Sequence, residues 1–545
     1  MRSKFSVYIG AVAILGTLAT AISLAAQESE EDTSRHHQHH HYKLIDLGTF
    51  GGSFSATNMD IDLNGRGVNQ RATTIGYSAT SAPKLPNSNP IICGGDDGWG
   101  SFITHAFRWH DGAVTDLGAL PPNETDCSNA YQVNGKGEIA GFSENGNLDP
   151  QFGFNQSRAV RWKDGKIEDL GSLGGNQNEA LAINNRGQIV GFSLNTIQDP
   201  FSILYSFFGL SDGTQTRAFL WQDGKIQDLK TLGGNDAFAS YINDRGQIAG
   251  FSYTSTTANP VTGLPPLDPF LWDNGKMIDL GTLGGAYGLF TGFGGGLNNH
   301  GQVIGSSSIA ADPGACISAE NDPNCHPFLW DSGKMTDLAT TTVGASPITA
   351  DAINDGGEIA GGADFSAAGG SAFGAYLWRN GIALKLGAVN GDCFSRAIAM
   401  NNKTQIVGNS FFCNSSFDNG FDNAFLWEDG SIVNLNALIP SGSSLTLVAT
   451  NDINDRGEIA GEGLPSGCSD FTSCGHAFLL IPCDANHPSV EGCDYTMEDG
   501  SAVETSVSST PVTRKSPGGT ANPMLRRFGS CLMPSQGGLA PVPQK

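Results

Sequence analysis

The chain has 545 residues, a formal charge of −24, 73 glycines and only 15% charged residues. Much glycine with few charges suits an all-β chain with many tight turns. The carboxylate surplus argues against binding phosphate backbones, which requires basic patches to displace counterions, so nucleic acid is not an expected partner.

In chain order, residues 1–26 read as an export signal. Arg2 and Lys4 precede an apolar stretch from about Val7 to Leu24, and Ser23, Ala25 and Ala26 supply small residues for cleavage. An apolar run of about 18 residues is borderline for crossing a bilayer, which leaves an uncleaved anchor as the alternative. The expected location is extracellular or periplasmic, without stable membrane insertion after cleavage. Residues 27–41 form an acidic and histidine-rich arm ending in "HHQHHH", His36 to His41. A closed zinc site needs spaced ligands on folded elements, so the tract reads as a tag-like or scavenging segment. No metal or cofactor is expected.

From residue 42 to 481 the sequence repeats. "AFLW" or a variant recurs with Trp109, Trp162, Trp221, Trp272, Trp330, Trp378 and Trp427, at spacings of 48 to 59 residues. That period matches a four-stranded propeller blade. Each copy divides into two hairpins. The first turns at Asp111-Gly112, Asp164-Gly165, Asp223-Gly224, Asn274-Gly275, Ser332-Gly333, Asn380-Gly381 or Asp429-Gly430, pairs that suit type I′ turns. The second turns at an Asn-x-x-Gly such as Asn184 to Gly187, with Lys403-Thr404 as a departure expected to be strained. An "AFLW" strand apolar on both faces is one sandwiched between layers, so its aromatics are expected in the core.

The repeat region opens at Tyr42 with the late part of a copy, "YKLIDLGTFGG", and ends at Ala477 to Ile481 with an early part lacking its continuation. The two fragments complement each other. The expected fold is an all-β, eight-bladed β-propeller closed by pairing of the N-terminal and C-terminal strands, with a seven-bladed ring as the alternative. The pattern AFLWxDGxxxDLGxLGG…AxxINxxGQIVGxS, with His105 and His476 completing a His-Ala-Phe, resembles the HAF-repeat proteins. The resemblance covers about Tyr42 to Ile481 and implies an exported bacterial repeat protein, with no catalytic residues to carry over. Two copies depart from it: "VNQRATT" reads as an insertion in the first, and Lys385 replaces the Asp of "DLG" in the seventh.

Eleven cysteines suggest local disulfides in an exported chain: Cys316–Cys325, Cys393–Cys413, Cys468–Cys474 and Cys483–Cys493, with Cys93 able to reach Cys127. Residues 482–495 read as a disulfide-clipped cap, and 496–545, rich in Ser, Thr, Pro and Gly, as a disordered tail.

In an antiparallel meander both tight turns of a copy share one face, which leaves the variable segments after "GFS" on the other. Variable loops on a rigid scaffold are where binding resides. Trp99, Phe102, Tyr205, Phe207 and Phe208 are the candidate binding residues, against the reading that such aromatics fold back and pack their own loops. The repeated Asp of "DLG", including Asp46, Asp116 and Asp169, reads as an acceptor for the adjacent turn. The function expected is a non-enzymatic scaffold that binds a protein or envelope glycan. The alternative is an extracytoplasmic hydrolase or lyase, which would require histidine and carboxylate in mutual reach at the axis.

Overall fold

The computed structural model describes residues 39–57, 67–89, 93, 102–121, 126–207, 213–289, 296–314, 316, 322–365, 373–412, 423–493 and 495. Strands dominate, in successive antiparallel ladders of four. The first sheet runs Gly51–Ala56, Thr74–Pro83, Phe102–His110, Ala113–Asp116. Six more follow the same order over 128–169, 178–228, 237–279, 284–337, 346–387 and 394–434. The fourth and fifth touch through a parallel bridge between Leu267 and Tyr287, and in the sixth the first strand is broken into Ser346–Pro347 and Ala352–Ile353.

The eighth sheet is assembled from both ends of the repeat region. Leu445–Ile453, Ile459–Pro465 and His476–Pro482 supply three strands. Tyr42–Asp46 supplies the fourth, antiparallel, with Leu44 opposite Leu480 and Asp46 opposite Phe478. The unit left incomplete at Ile481 is therefore finished by residues from the far end of the chain.

Turn chemistry accounts for the hairpins. Asp111, Asp164, Asp223, Asn274, Ser332, Asn380 and Asp429 have φ of 48 to 52°, each followed by a glycine also at positive φ, as a type I′ turn demands. In the second hairpins Gly137, Gly187, Gly246, Gly301, Gly357 and Gly457 hold the left-handed position. Thr404 takes the same place at φ 62°, the strained position expected there. One expectation is corrected. "VNQRATT" is no insertion: Asn69 to Ala72 forms the ordinary turn, with Ala72 at φ 58° where the other copies have glycine or threonine. A missing glycine disguised it.

The "DLG" aspartates work as turn acceptors. Oδ1 of Asp46, Asp116, Asp169 and Asp279 accepts the N–H of the glycine two residues on, at 2.8 to 2.9 Å. Packing completes the arrangement. Phe107, Val160, Phe219, Phe270, Phe328, Tyr376, Phe425 and Phe478, one per sheet, are at most 1% exposed. Burying such a side chain contributes about 1.5–3 kcal/mol. The eighth sheet packs both ways: Phe478 and Leu480 lie with Val407 and Leu426 of the seventh, and Ala477 and Leu479 with Phe107 and Trp109 of the first.

Candidate functional site

Each Asn-x-x-Gly turn places one buried asparagine toward a common centre. Its Oδ1 accepts backbone N–H groups two and four residues on, as Asn243 does from Arg245 and Gln247. Its Nδ2 donates to the carbonyl of the asparagine in the next sheet: Asn69 to Asn134 (2.8 Å), Asn134 to Asn184 (3.0 Å), Asn184 to Asn243 (3.0 Å), Asn243 to Asn298 (2.9 Å) and Asn298 to Asn354 (3.0 Å). Asn354 instead faces Met400 Sδ at 3.9 Å. Asn401 donates to Asn454 (2.8 Å), and Asn454 donates to Asn69 (2.7 Å), where the relay began. A second relay spans the gap: Asp355 N–H reaches Asn402 Oδ1 at 2.9 Å.

These turns surround a cavity of about 270 Å³. Its titratable lining is Asp244, Asp355, Asp452, Asp455 and Tyr241. Asp244, Asp355 and Asp455 each clasp the backbone and side-chain N–H groups of the preceding sheet's Asn185, Asn299 or Asn402. Each of their oxygens thus accepts one bond from the scaffold, which fixes the carboxylates in place. No histidine, cysteine, serine or lysine is among the described lining residues. Nearby, His487 lies between Asp484 (2.7 Å) and Glu458 (3.0 Å). Asp484 and His487 belong to the cap, and their contact with the buried Glu458 ties it to the eighth sheet.

The opposite face carries the variable segments, which lean on one another. Asn155 N–H of the second sheet's loop donates to Asn87 O of the first (2.8 Å). Phe152 packs at a tilt against Tyr205 of the third with centroids 4.4 Å apart, and Ile203 N–H of that loop reaches Asp236, directly before the fourth sheet (2.6 Å). Burial raises the Glu144 carboxyl at the base of the second loop to about 7, against hydrogen bonds from Cys127 and Asn89 and with the help of the Asp126 charge. From this layer stand out Leu85 (38% exposed), Leu148 (49%), Ile197 (57%), Val261 (72%) and Phe412 (53%), one from each of five loops. They are half of the ten large apolar residues that are exposed among the described residues.

Of the candidate binding residues, Tyr205 is buried in the main core cluster, and Phe102 is half-buried against Phe54 and Tyr77. Phe207 ends a one-turn helix, Ile203–Phe207; Trp99 and Phe208 lie outside the described residues. The exposed aliphatic tips escaped a search for aromatics, and alternation in the extended hairpins was the signal for them: Leu148 follows the polar "ENGN" and Ile197 sits between Thr196 and Gln198. Disulfides join Cys93–Cys127, Cys316–Cys325, Cys468–Cys474 and Cys483–Cys493, consistent with an oxidising compartment. Cys413, the expected partner of Cys393, lies outside the described residues. Among the described residues no helix is long and apolar enough to cross a membrane.

No protein-family model matches the chain, and no curated protein does. Among solved structures it is similar to an ulvan lyase bound to an oligosaccharide (11% identity, 80% of this chain and 96% of that one, TM-score 0.36). It is similar also to TolB from Acinetobacter baumannii (11%, 75% and 96%, TM-score 0.26) and to the Pyrococcus horikoshii acylaminoacyl peptidase (11%, 67% and 53%, TM-score 0.34). The chain thus spans about half the length of the peptidase. These scores are too low to carry a residue role or an activity to this chain.

Proposed function

We propose that the chain is an exported, eight-bladed, closed β-propeller of HAF-type repeats that serves as a non-enzymatic scaffold and binds a protein partner through its variable-loop face. Support for the ring comes from the asparagine relay that returns to Asn69 and from the strand that Tyr42–Asp46 adds to the last sheet. The observation that carries the binding reading is the set of five exposed apolar tips, Leu85, Leu148, Ile197, Val261 and Phe412, raised on loops braced against each other. Apolar area that a partner can cover in one contact marks an interaction surface, and four of the five tips stand on the loops of four successive sheets, the first to the fourth. Four aliphatic tips to one aromatic favour protein over envelope glycan, since sugars stack on rings.

The test is capture from envelope extracts by the intact ring and by a Leu148→Asp/Ile197→Asp/Val261→Asp variant of equal thermal stability. Partners retained by the first and lost by the second are expected. Identical capture profiles would remove the loop tips as the contact.

A further inference from the structure

Two carboxyl groups meet without a cation beneath the third sheet's loop. Asp199 is 1% exposed and Asp236 not at all. Asp199 Oδ1 accepts Phe201 N–H (3.0 Å) and Asp236 Oδ2 accepts Ile203 N–H (2.6 Å). The remaining oxygens, Asp199 Oδ2 and Asp236 Oδ1, are buried with no donor. A buried oxygen without a donor costs about 1–3 kcal/mol, more when charged.

The neighbouring sheets supply an internal control. The second sheet's loop has the same "DP" start, with Asp149 Oδ1 accepting Gln151 N–H (2.9 Å). There the residue just before the next sheet is Gln177, whose Nε2 donates to Asp149 Oδ2 at 3.0 Å. Asp236 stands at that place one sheet later, immediately before Ala237–Ile242. A carboxylate has no N–H to give, so only an O–H can replace the bond that Gln177 makes.

We infer that Asp199 and Asp236 share one proton, and that this O–H···O bond locks the loop from Asp199 to Phe207 onto the fourth sheet at neutral pH and releases it in alkali. Tyr253 of the fourth sheet faces both carboxyls, with Tyr287 of the fifth beside Tyr253. On the loop itself Tyr205 faces Asp149. Arg217 does not neutralise the pair, since it turns to Asn235 O (2.6 Å) and Asp228 (3.1 Å). Burial first, and the Asp199 charge next, hold the Asp236 carboxyl well above its usual range. A carboxyl raised in the folded state gives stability that is complete below its unfolded value and is lost as pH rises through the folded one, so release occurs on the alkaline side.

The lock concerns the order of the loop and needs no partner, so it stands or falls separately from the binding reading. The experiment is hydrogen exchange at the Ile203 and Leu204 amides, corrected for intrinsic rate, across a pH series. Protection in the wild type should fall by about tenfold per pH unit once the pair titrates. In Asp236→Asn, where an amide supplies the donor as Gln177 does, it should not vary with pH, and Asp199→Asn should behave alike. Identical pH profiles in wild type and variants would overturn the proposal. So would protection that depends on added calcium and vanishes with chelator, since a metal would then fill the gap. Failure of both amide variants to fold would also overturn it, because either amide restores the same bond.

Discussion

A favourable side-chain pair spans the first hairpin in six sheets, eleven residues apart except in the eighth, where the partners come from the two ends of the repeat region. His105 meets Asp116 (2.9 Å), Arg158 meets Asp169 (3.0 Å), Arg217 meets Asp228 (3.1 Å), His326 meets Asp337 (2.9 Å) and His476 meets Asp46 (2.9 Å). Asn434 donates to Asn423 in the seventh sheet (2.9 Å). Burial alone would raise the Asp116 carboxyl, but the His105 bond and charge hold it below its usual range. The His that opens the His-Ala-Phe motif is therefore a structural partner of the "DLG" aspartate. The fourth sheet breaks the rule, because Asp268 faces Asp279. Burial, followed by the Asp279 charge, raises Asp268 from 3.8 to about 7. Stability tied to its neutral form is complete below 3.8 and is lost as pH rises to about 7. Asp268→Arg, the choice made at Arg217, should thus stabilise by about 1–2 kcal/mol at pH 8 after allowance for solvent screening, and by less at pH 4. Melting at the two pH values checks this, and an equal gain at both would contradict it.

The repeated element depends on a close approach that the sequence marks only as a glycine. On Gly191 a Cβ would lie 1.9 Å from Glu179 O, and on Gly141, Gly250 and Gly408 it would lie 2.0 to 2.1 Å from the equivalent carbonyls. The facing strands shift register there, between Ala180 and Ala182, Ala130 and Gln132, Ala239 and Tyr241, and Ala397 and Ala399. A bulge brings the two backbones together where "GFS" begins. Gly191→Ala should cost about 3 kcal/mol or more by chemical denaturation. Gly153→Ala, in a loop with positive φ but nothing within 4 Å, should cost only about 1–2 kcal/mol. Gly191 is not at positive φ, so a loss at Gly191 no larger than that at Gly153 would show that the close contact relaxes and crowding does not hold the position. Strand order and hairpins were legible because two-residue turns have few chemical solutions. The bulge was not, since register is a relation between strands, and Ala72 hid a turn by standing where glycine was the cue. Tyr205 and Phe411 pack inward, because long hairpins bury their own aromatics before offering them to a partner.

At the scale of the molecule, Tyr42–Asp46 joins the sheet that holds His476–Pro482, so the first and last repeats meet. The fragments at Tyr42 and Ala477 made that pairing legible. The relay of asparagine amides was not, because an Asn-x-x-Gly turn declares its own hydrogen bonds but not the carbonyl that curvature brings within reach of Nδ2. The junction of the two ends is bonded at several levels. Tyr42 N–H reaches Leu438 O (2.8 Å), Leu47 N–H reaches Ala477 O (3.0 Å) and Cys483 N–H reaches His41 O (2.8 Å); Val68 N–H binds Asp452 (3.0 Å). Glu462, raised to about 7 by burial despite its bonds to Thr57 and Asn451, lies at the same junction. Removing residues through Asp46 exposes one edge of His476–Pro482, so its donors and acceptors lose partners and become available to other chains. The loss should be on the order of 5 kcal/mol, from Tyr42 burial and the severed ladder, with oligomers visible by size exclusion. The decisive variant moves the strand instead of deleting it, placing "YKLID" after Pro482 behind an Asp-Gly turn, as Asp223-Gly224 connects the third sheet's last two strands. If the missing strand's only task is to finish the eighth sheet, this transplant restores melting and the monomer. Unchanged melting after the deletion, or no recovery with the transplant, would mean that the eighth sheet is held by something other than the meeting of the two ends.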